Sequence, residues 1–232
     1  MIRPLPAVFE RKLGVRFADS RLLATALTHR SAGAENYERL EFLGDGILNA
    51  LIGAELYRRQ PAANEGDLSR LRASLVREST LAEIAAELEL SEYVQVGAGE
   101  TGSHRRKSVL ADVLEAIIGA VYIDAGFTAA QELVLGWFAS RLQNLPDAES
   151  LKDAKTRLQE YLQAREQGLP VYVVLNTTGP AHDRRFEVSC TVPDTLSEMI
   201  TQAGGSSRRR AEQEAARLML LRLTMPDGNK ND

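Results

Sequence analysis

Apolar residues recur at helical spacing through the first 145 residues and at strand spacing in part of the remaining chain. Ser20 to Leu27 is a short apolar segment opened by the cap signal Asp19-Ser20. Asn36 can cap a long helix from about Glu38 to Arg59, stopped at Pro61. Gly66-Asp67 precedes a helix from about Leu68 to Val76, and Thr80 can cap another from Leu81 to Leu90. Ser108 begins a helix to about Ile123; after Asp124-Ala125-Gly126, Thr128 starts a last one through Leu142. In this half only Tyr93-Val94-Gln95-Val96 is strand-like.

The pattern changes after Asn144. Pro146-Asp147-Ala148-Glu149-Ser150 is short, polar and proline-punctuated, the composition of a linker. A helix follows over Lys155 to Glu166, then strands over Val171–Leu175, Phe186–Thr191 and Ser197–Gln202, then a closing helix over Ser206–Leu223. This order predicts an α+β multidomain chain. An all-α domain covers 1–145, a linker 146–152, a small α-β-β-β-α domain 153–223 and a polar tail 224–232.

Two helices carry carboxylates where their surroundings are apolar. Between Ser108 and Ile123 apolar residues lie nearly all round, the pattern of a buried helix. Yet Asp112 and Glu115 share one face at i and i+3, with no basic residue among them. In the earlier helix Glu38, Glu41 and Asp45 stand at i, i+3 and i+7, again one narrow face. Burying like charges costs several kcal/mol each unless something pairs them. A solvent-facing stripe would explain either helix alone; a shared cation explains both. Oxygen-only donors favour a hard ion, Mg²⁺ or Mn²⁺, over zinc. His29, His104 and His182 are far apart and form no metal-binding pair. Such ions activate water and neutralise phosphate oxygens, which points to metal-assisted phosphoester hydrolysis. Glu65, just before a helix, is a weaker candidate, because a carboxylate there can serve the helix dipole alone.

Two further stretches carry chemistry. Gly97-Ala98-Gly99-Glu100-Thr101-Gly102 matches a dinucleotide-binding pattern, but the basic run Ser103-His104-Arg105-Arg106-Lys107 follows and no βαβ unit surrounds it. A glycine loop carrying basic charge is the better reading. Gly204-Gly205-Ser206-Ser207-Arg208-Arg209-Arg210-Ala211-Glu212 places glycines, hydroxyls and three cations at a helix start, where amides already favour anions. A solvated run balanced by Glu212 and Glu214 is the plainer alternative.

Composition limits the remaining classes. Hydrophobic residues make up 44% of 232 and charged residues 26%, which excludes a disordered or collagenous chain. A lone Cys190 excludes an intrachain disulfide and fits a reducing cytoplasm. The opening Met1-Ile2-Arg3-Pro4-Leu5-Pro6 lacks the apolar run of a signal peptide, and no stretch approaches the roughly 20 apolar residues of a membrane span. The net charge of −4 averages unlike parts. Residues 1–152 hold 17 basic and 21 acidic side chains, residues 153–223 hold 10 and 9. The acidic total therefore leaves room for a nucleic-acid partner held by a few placed cations.

These residues resemble bacterial ribonuclease III from about Gly14 to Leu223. Glu38-Arg39-Leu40-Glu41-Phe42-Leu43-Gly44-Asp45 looks like the family signature, supported in order by Glu65–Arg72 and Leu110–Ala116. The second domain is similar to the double-stranded-RNA-binding domain, through Lys155–Glu160, the Gly179/His182 turn and Ser206–Glu212. The resemblance implies a Mg²⁺-dependent endonuclease for double-stranded RNA. Glu41, Asp45, Asp112 and Glu115 would hold the metal, Asp45 and Glu115 being the most sensitive to loss. Glu38 and Glu65 would be auxiliary. Phe42 would insert into a pocket of the second subunit of a homodimer, each subunit cutting one strand. Products would carry 5′-phosphates, 3′-hydroxyls and short 3′ overhangs, with precursor ribosomal RNA and some messenger RNAs as targets. Duplex RNA is read by shape and 2′-hydroxyls across about 16 base pairs. Thr156, Gln159, Glu160 and Gln163 would face one minor groove and His182 the next, while Ser207, Arg208, Arg209 and Arg210 would meet phosphates between them. Ala203 departs from a glycine usual in the loop before the arginines, and Gly46 is a helical glycine just after the signature. The alternative is a non-catalytic double-stranded-RNA binder, which the presence of all four carboxylates disfavours.

Overall fold

A computed structural model describes residues 7–100, 102, 106–180, 183–193 and 199–225. The chain divides into two units, Met1–Leu151 and Lys152–Asp232.

In the first unit the expected helices form with shifts at their ends, and one that the sequence pattern does not mark precedes them. Helix α1 (Ala7–Leu13) precedes α2 (Ser20–Ala26), which Asp19 caps by accepting from the Arg21 amide. Helix α3 runs Glu38–Arg59, with the Asn36 side chain accepting from the Glu38 amide at 3.1 Å. Helix α4 starts at Glu65, three residues before the expected Leu68, because Asn64 accepts from the Asp67 amide at 2.9 Å. Helix α5 spans Glu78–Glu87. Thr80 therefore lies inside it rather than capping it; its hydroxyl donates to the Ser74 carbonyl and ties α5 to α4. Glu89 enters the left-handed region (φ 53°) and ends the expected continuation to Leu90.

The strand expected over Tyr93–Val96 does not form. Gln95 makes one isolated bridge to Thr28, and Tyr93 stacks on Phe9 at 3.9 Å. The two helices expected on either side of Asp124-Ala125-Gly126 form, and α6 (Lys107–Trp137) names both together: the chain kinks between them at Gly126, whose backbone is non-helical (φ 83°). Asp124 holds this bend by accepting from the Ala18 and Asp19 amides at 2.8 and 2.9 Å. Phe138 closes α6 before the expected Leu142, and a short α7 (Ala139–Gln143) follows. The middle of α6 is the centre of the core: Val113, Leu114, Ala116, Ile117, Ile118, Ala120 and Val121 are fully buried. Ala148 and Leu151, in the segment read as linker, pack against the same core.

The α3–α6 crossing positions the site. At Gly44 a methyl group would overlap the Glu115 carbonyl oxygen, and at Gly119 it would overlap that of Leu40. The two backbones touch there, which brings Glu41 and Asp45 of α3 to the stretch of α6 that carries Glu115, with Asp112 one turn before it.

The second unit follows the expected order: α8 (Ala154–Gln163), β1 (Val171–Thr178), β2 (Arg185–Val192), β3 (Met199–Gly205) and α9 (Arg208–Thr224). Strand β2 is central and antiparallel to both neighbours, pairing Val173 with Ser189 and Ser189 with Gln202. Helix α8 stops three residues before Glu166, which adopts φ 56°. Both helices cover one sheet face, burying Leu158, Leu162, Cys190, Val192, Ala215, Ala216 and Met219. Ala203 lies within β3 opposite Val188, not in the loop before the arginines, so its lack of a glycine's freedom costs nothing there. Thr224 belongs to α9 rather than to the tail.

Candidate active site

Helix α3 presents Glu38, Glu41 and Asp45, and α6 presents Asp112 and Glu115. Asp112, Glu115 and Glu41 are half-buried; Glu38 and Asp45 are exposed. Burial pushes the Glu115 carboxyl up to about 8, and the charges of Asp45, Glu41 and Asp112 push the same way. Glu41 is raised by burial and then by Asp112, Glu38 and Asp45. Asp112 is raised by burial, against the Tyr37 hydroxyl, which donates to its Oδ2 at 3.3 Å. The four carboxylates expected to act together are thus electrostatic neighbours.

Their other partners are few. Asp45 accepts from Asn49 at 2.7 Å, and Glu38 faces Arg30 at 3.7 Å. Glu65 accepts from Ser69 on its own helix at 2.8 Å. Two residues here carry no signal in the sequence pattern. Tyr37, just before α3, reaches Asp112 and is met edge-on by His29 at 5.7 Å between ring centres. Glu78, at the start of α5, adds to the field at Asp112.

Among the described residues, no three His, Cys, Asp or Glu side chains converge tightly enough to hold an ion as they stand. The donor chemistry nevertheless fits a hard divalent cation: carboxylate oxygens on two fixed helices, with mutual repulsion that a cation would reverse.

Phe42, on the same helix, is 84% exposed. Beside it runs a cleft of about 1060 Å³ whose walls include Leu22, Thr25, Leu40, Leu43 and Ile123. An aromatic side chain so exposed on a rigid helix is unusual for a surface that meets only water.

In the second unit the RNA-facing candidates form two groups. Gln159, Glu160 and Gln163 are exposed along α8, with Thr156 half-buried in its first turn. Glu160 is held by Lys152 at 2.6 Å. Arg208, Arg209 and Arg210 are exposed at the start of α9. Ser207 is its cap, accepting from the Arg210 amide, while the Arg210 guanidinium donates to Ser206 at 3.0 Å. His182 lies outside the described residues. Glu214 pairs with Arg217 at 2.6 Å, but Glu212 is buried rather than solvated.

Comparison with known proteins identifies two family regions in the chain. Residues 19–142 match the ribonuclease-III-like family, and residues 154–223 match the double-stranded RNA binding motif. Ribonuclease 3 of Hahella chejuensis is 54% identical over 216 residues, 92% of this chain and 95% of the relative. Ribonuclease 3 of Vibrio campbellii is 51% identical over 217 residues, 93% and 96% of the two chains. Among solved structures, the nuclease domain of ribonuclease III from Campylobacter jejuni matches with a TM-score of 0.57 at 41% identity, covering 58% of this chain and 96% of that one. A second structure of that domain matches with a TM-score of 0.55. The chain belongs to the ribonuclease III family of double-strand-specific endoribonucleases.

Proposed function

We propose that the chain cleaves double-stranded RNA as a Mg²⁺-dependent homodimer, with a nuclease domain over 1–145 joined through 146–152 to an RNA-binding domain over 153–223. The observation that carries this is the opposed carboxylate pairs of α3 and α6, with the charges of Asp45, Glu41 and Asp112 all acting on the half-buried Glu115. Glu41, Asp45, Asp112 and Glu115 would hold the metal. When bound, Mg²⁺ supplies Lewis acidity at the phosphodiester and activation of water at neutral pH. The chain's own contribution is to fix two carboxylates on each helix through the glycine crossing. Tyr37 keeps one Asp112 oxygen engaged, so only the other is free of that bond. Glu38 and Glu65 would be auxiliary acids, Glu38 beside Arg30 and Glu65 held by Ser69.

Homodimer formation is supported by exposed Phe42 beside its cleft: in a two-fold pair each Phe42 can enter the partner's cleft. The region involved in dimer formation is described as flexible in the Campylobacter jejuni nuclease domain. Double-stranded RNA would lie against Thr156, Gln159, Glu160 and Gln163 of α8 and Arg208, Arg209 and Arg210 of α9, with His182 at the second minor groove. Products carry 5′-phosphates, 3′-hydroxyls and short 3′ overhangs, and precursor ribosomal and messenger RNAs are the substrates. Among the described residues no helix is long and apolar enough to cross a membrane, and we place the activity in the cytoplasm.

The test is cleavage of a plain RNA duplex with Mg²⁺ and with chelator, followed by analysis of the ends. Cleavage only with metal, leaving ligatable 5′-phosphates, is expected. Equal cleavage in chelator, or 2′,3′-cyclic ends, overturns the proposal.

A further inference from the structure

Glu212 is 8% exposed in the first turns of α9, and two cations hold it. Lys155, in the first turn of α8, donates to Oε2 at 2.7 Å, and Arg208 donates to Oε1 at 2.8 Å. These bonds hold the carboxyl below its usual range. The same Lys155 ammonium lies 4.3 Å from the centre of the Tyr172 ring, on β1. Its backbone amide donates to the Gln213 side chain at 3.2 Å. One buried carboxylate thus joins the beginnings of both helices, and Lys155 carries the connection on to the sheet. Thr156 directly follows Lys155, and Arg209 and Arg210 directly follow Arg208.

We propose, building on the duplex binding of the proposed function, that Glu212 is a positioning residue. It sets the spacing between the α8 face and the α9 arginines, so that one rigid unit meets minor groove and phosphates together. Minor groove and phosphate backbone lie at a fixed separation in an A-form duplex. Two contact sets on a rigid frame bind as one bivalent ligand; on a loosened frame they bind as two weak ones. The apposition of Lys155, Glu212 and Arg208 assigns this role to a carboxylate that charge counting alone would read as an obstacle to RNA.

That reading gives the test opposite signs. Full-length wild type and Glu212→Gln are titrated, in chelator to prevent cleavage, onto RNA duplexes of about 10 and about 20 base pairs, below and above the span of one domain. Glu212→Gln removes a negative charge and frees two cations. If Glu212 only neutralises charge, the variant binds more tightly with a steeper salt dependence, and the proposal is overturned. If it positions, binding to the longer duplex weakens about tenfold and the gain from short to long duplex shrinks. A variant that merely lowers the folded fraction weakens both duplexes by one factor, which also overturns the proposal. Should Glu212→Gln melt below the assay temperature, Glu212→Asp keeps the charge and moves it by one methylene. Weaker binding to the longer duplex then supports the role, and unchanged binding overturns it. If wild type itself fails to bind duplex RNA, the proposed function fails instead.

Discussion

Glu115 and Glu212 are both carboxylates withdrawn from solvent on long helices, yet their surroundings are opposite. Glu115 meets Asp45, Glu41 and Asp112, and its acid is pushed up to about 8. Glu212 meets Lys155 and Arg208, and its acid is pulled down. In the second unit the fold itself settles the charge, so the carboxylate is part of the scaffold. In the first unit the fold gathers like charges and leaves the electrostatic cost standing. A cluster with that cost is where a cation from solution has most to contribute.

The largest expected effect separates the two carboxylates by activity. Glu115→Gln keeps shape and removes one anionic donor. Duplex cleavage under single turnover should fall about 10³-fold or more, equivalent to about 4 kcal/mol of barrier. Duplex affinity in chelator should stay unchanged, because the second unit carries binding. A variant that cleaves at the wild-type rate with Mg²⁺ removes Glu115 from the site.

Next comes the crossing that makes the cluster. Gly44→Ala drives a methyl group into the Glu115 backbone, which cannot turn aside as a side chain can. The helices must part, at a cost of about 3 kcal/mol or more. Urea unfolding should show the loss in the first unit, and metal-dependent cleavage should fall with it. A variant with wild-type stability would mean that the helices are not in backbone contact.

A smaller effect appears in pH dependence without metal. The folded Glu115 acid is raised above its ordinary 4.5 to about 8, so between these values the native state holds a proton that the unfolded chain has lost. Its stabilising contribution is present below about pH 4.5 and lost as pH rises toward about 8. Glu55 behaves oppositely: the Arg58 hydrogen bond, with help from Arg59, lowers it to about 2. That contribution is present above about pH 4.5 and lost only as pH falls toward about 2. In chelator the melting temperature of the first unit should therefore decline by about 5 °C from pH 5 to pH 8. Saturating Mg²⁺ or Mn²⁺ should reduce the decline, because the cation replaces the proton. A flat profile in chelator contradicts the clustering of the four carboxylates.

The sequence shows these features unevenly, and the reason is range. Asn36 and Pro61 mark both ends of α3 because caps and prolines act on the nearest turn. The carboxylate faces are legible because helical period alone places i, i+3 and i+7 together. Thr80 misleads as a cap because its hydroxyl finds the Ser74 carbonyl, a partner supplied by the end of another helix. Tyr93–Val96 has strand composition but one bridging residue, so the segment packs by its side chains instead. Tyr37, Gly119 and the buried state of Glu212 all depend on which helix crosses which, and no local pattern carries that.

Two glycines on one helix make the finest test of that distinction. Gly44 and Gly46 are two residues apart on α3 and look alike in sequence. Gly44 faces α6 with no room for a methyl group; at Gly46 nothing lies within 4 Å of where one would stand. Gly46 is also exposed and carries no positive φ, so its permissive backbone serves no conformation that alanine cannot adopt. Alanine there removes unfolded-state freedom and adds helix propensity. Gly46→Ala should stabilise the first unit by about 0.5–1 kcal/mol. Guanidinium unfolding of the monomeric, metal-free protein reads this directly. If Gly46→Ala destabilises that form, the open face of α3 meets another surface even in the single chain. If it is stabilising there but costs stability only where protomers associate, the face of α3 that carries Phe42 also brings Gly46 against the partner.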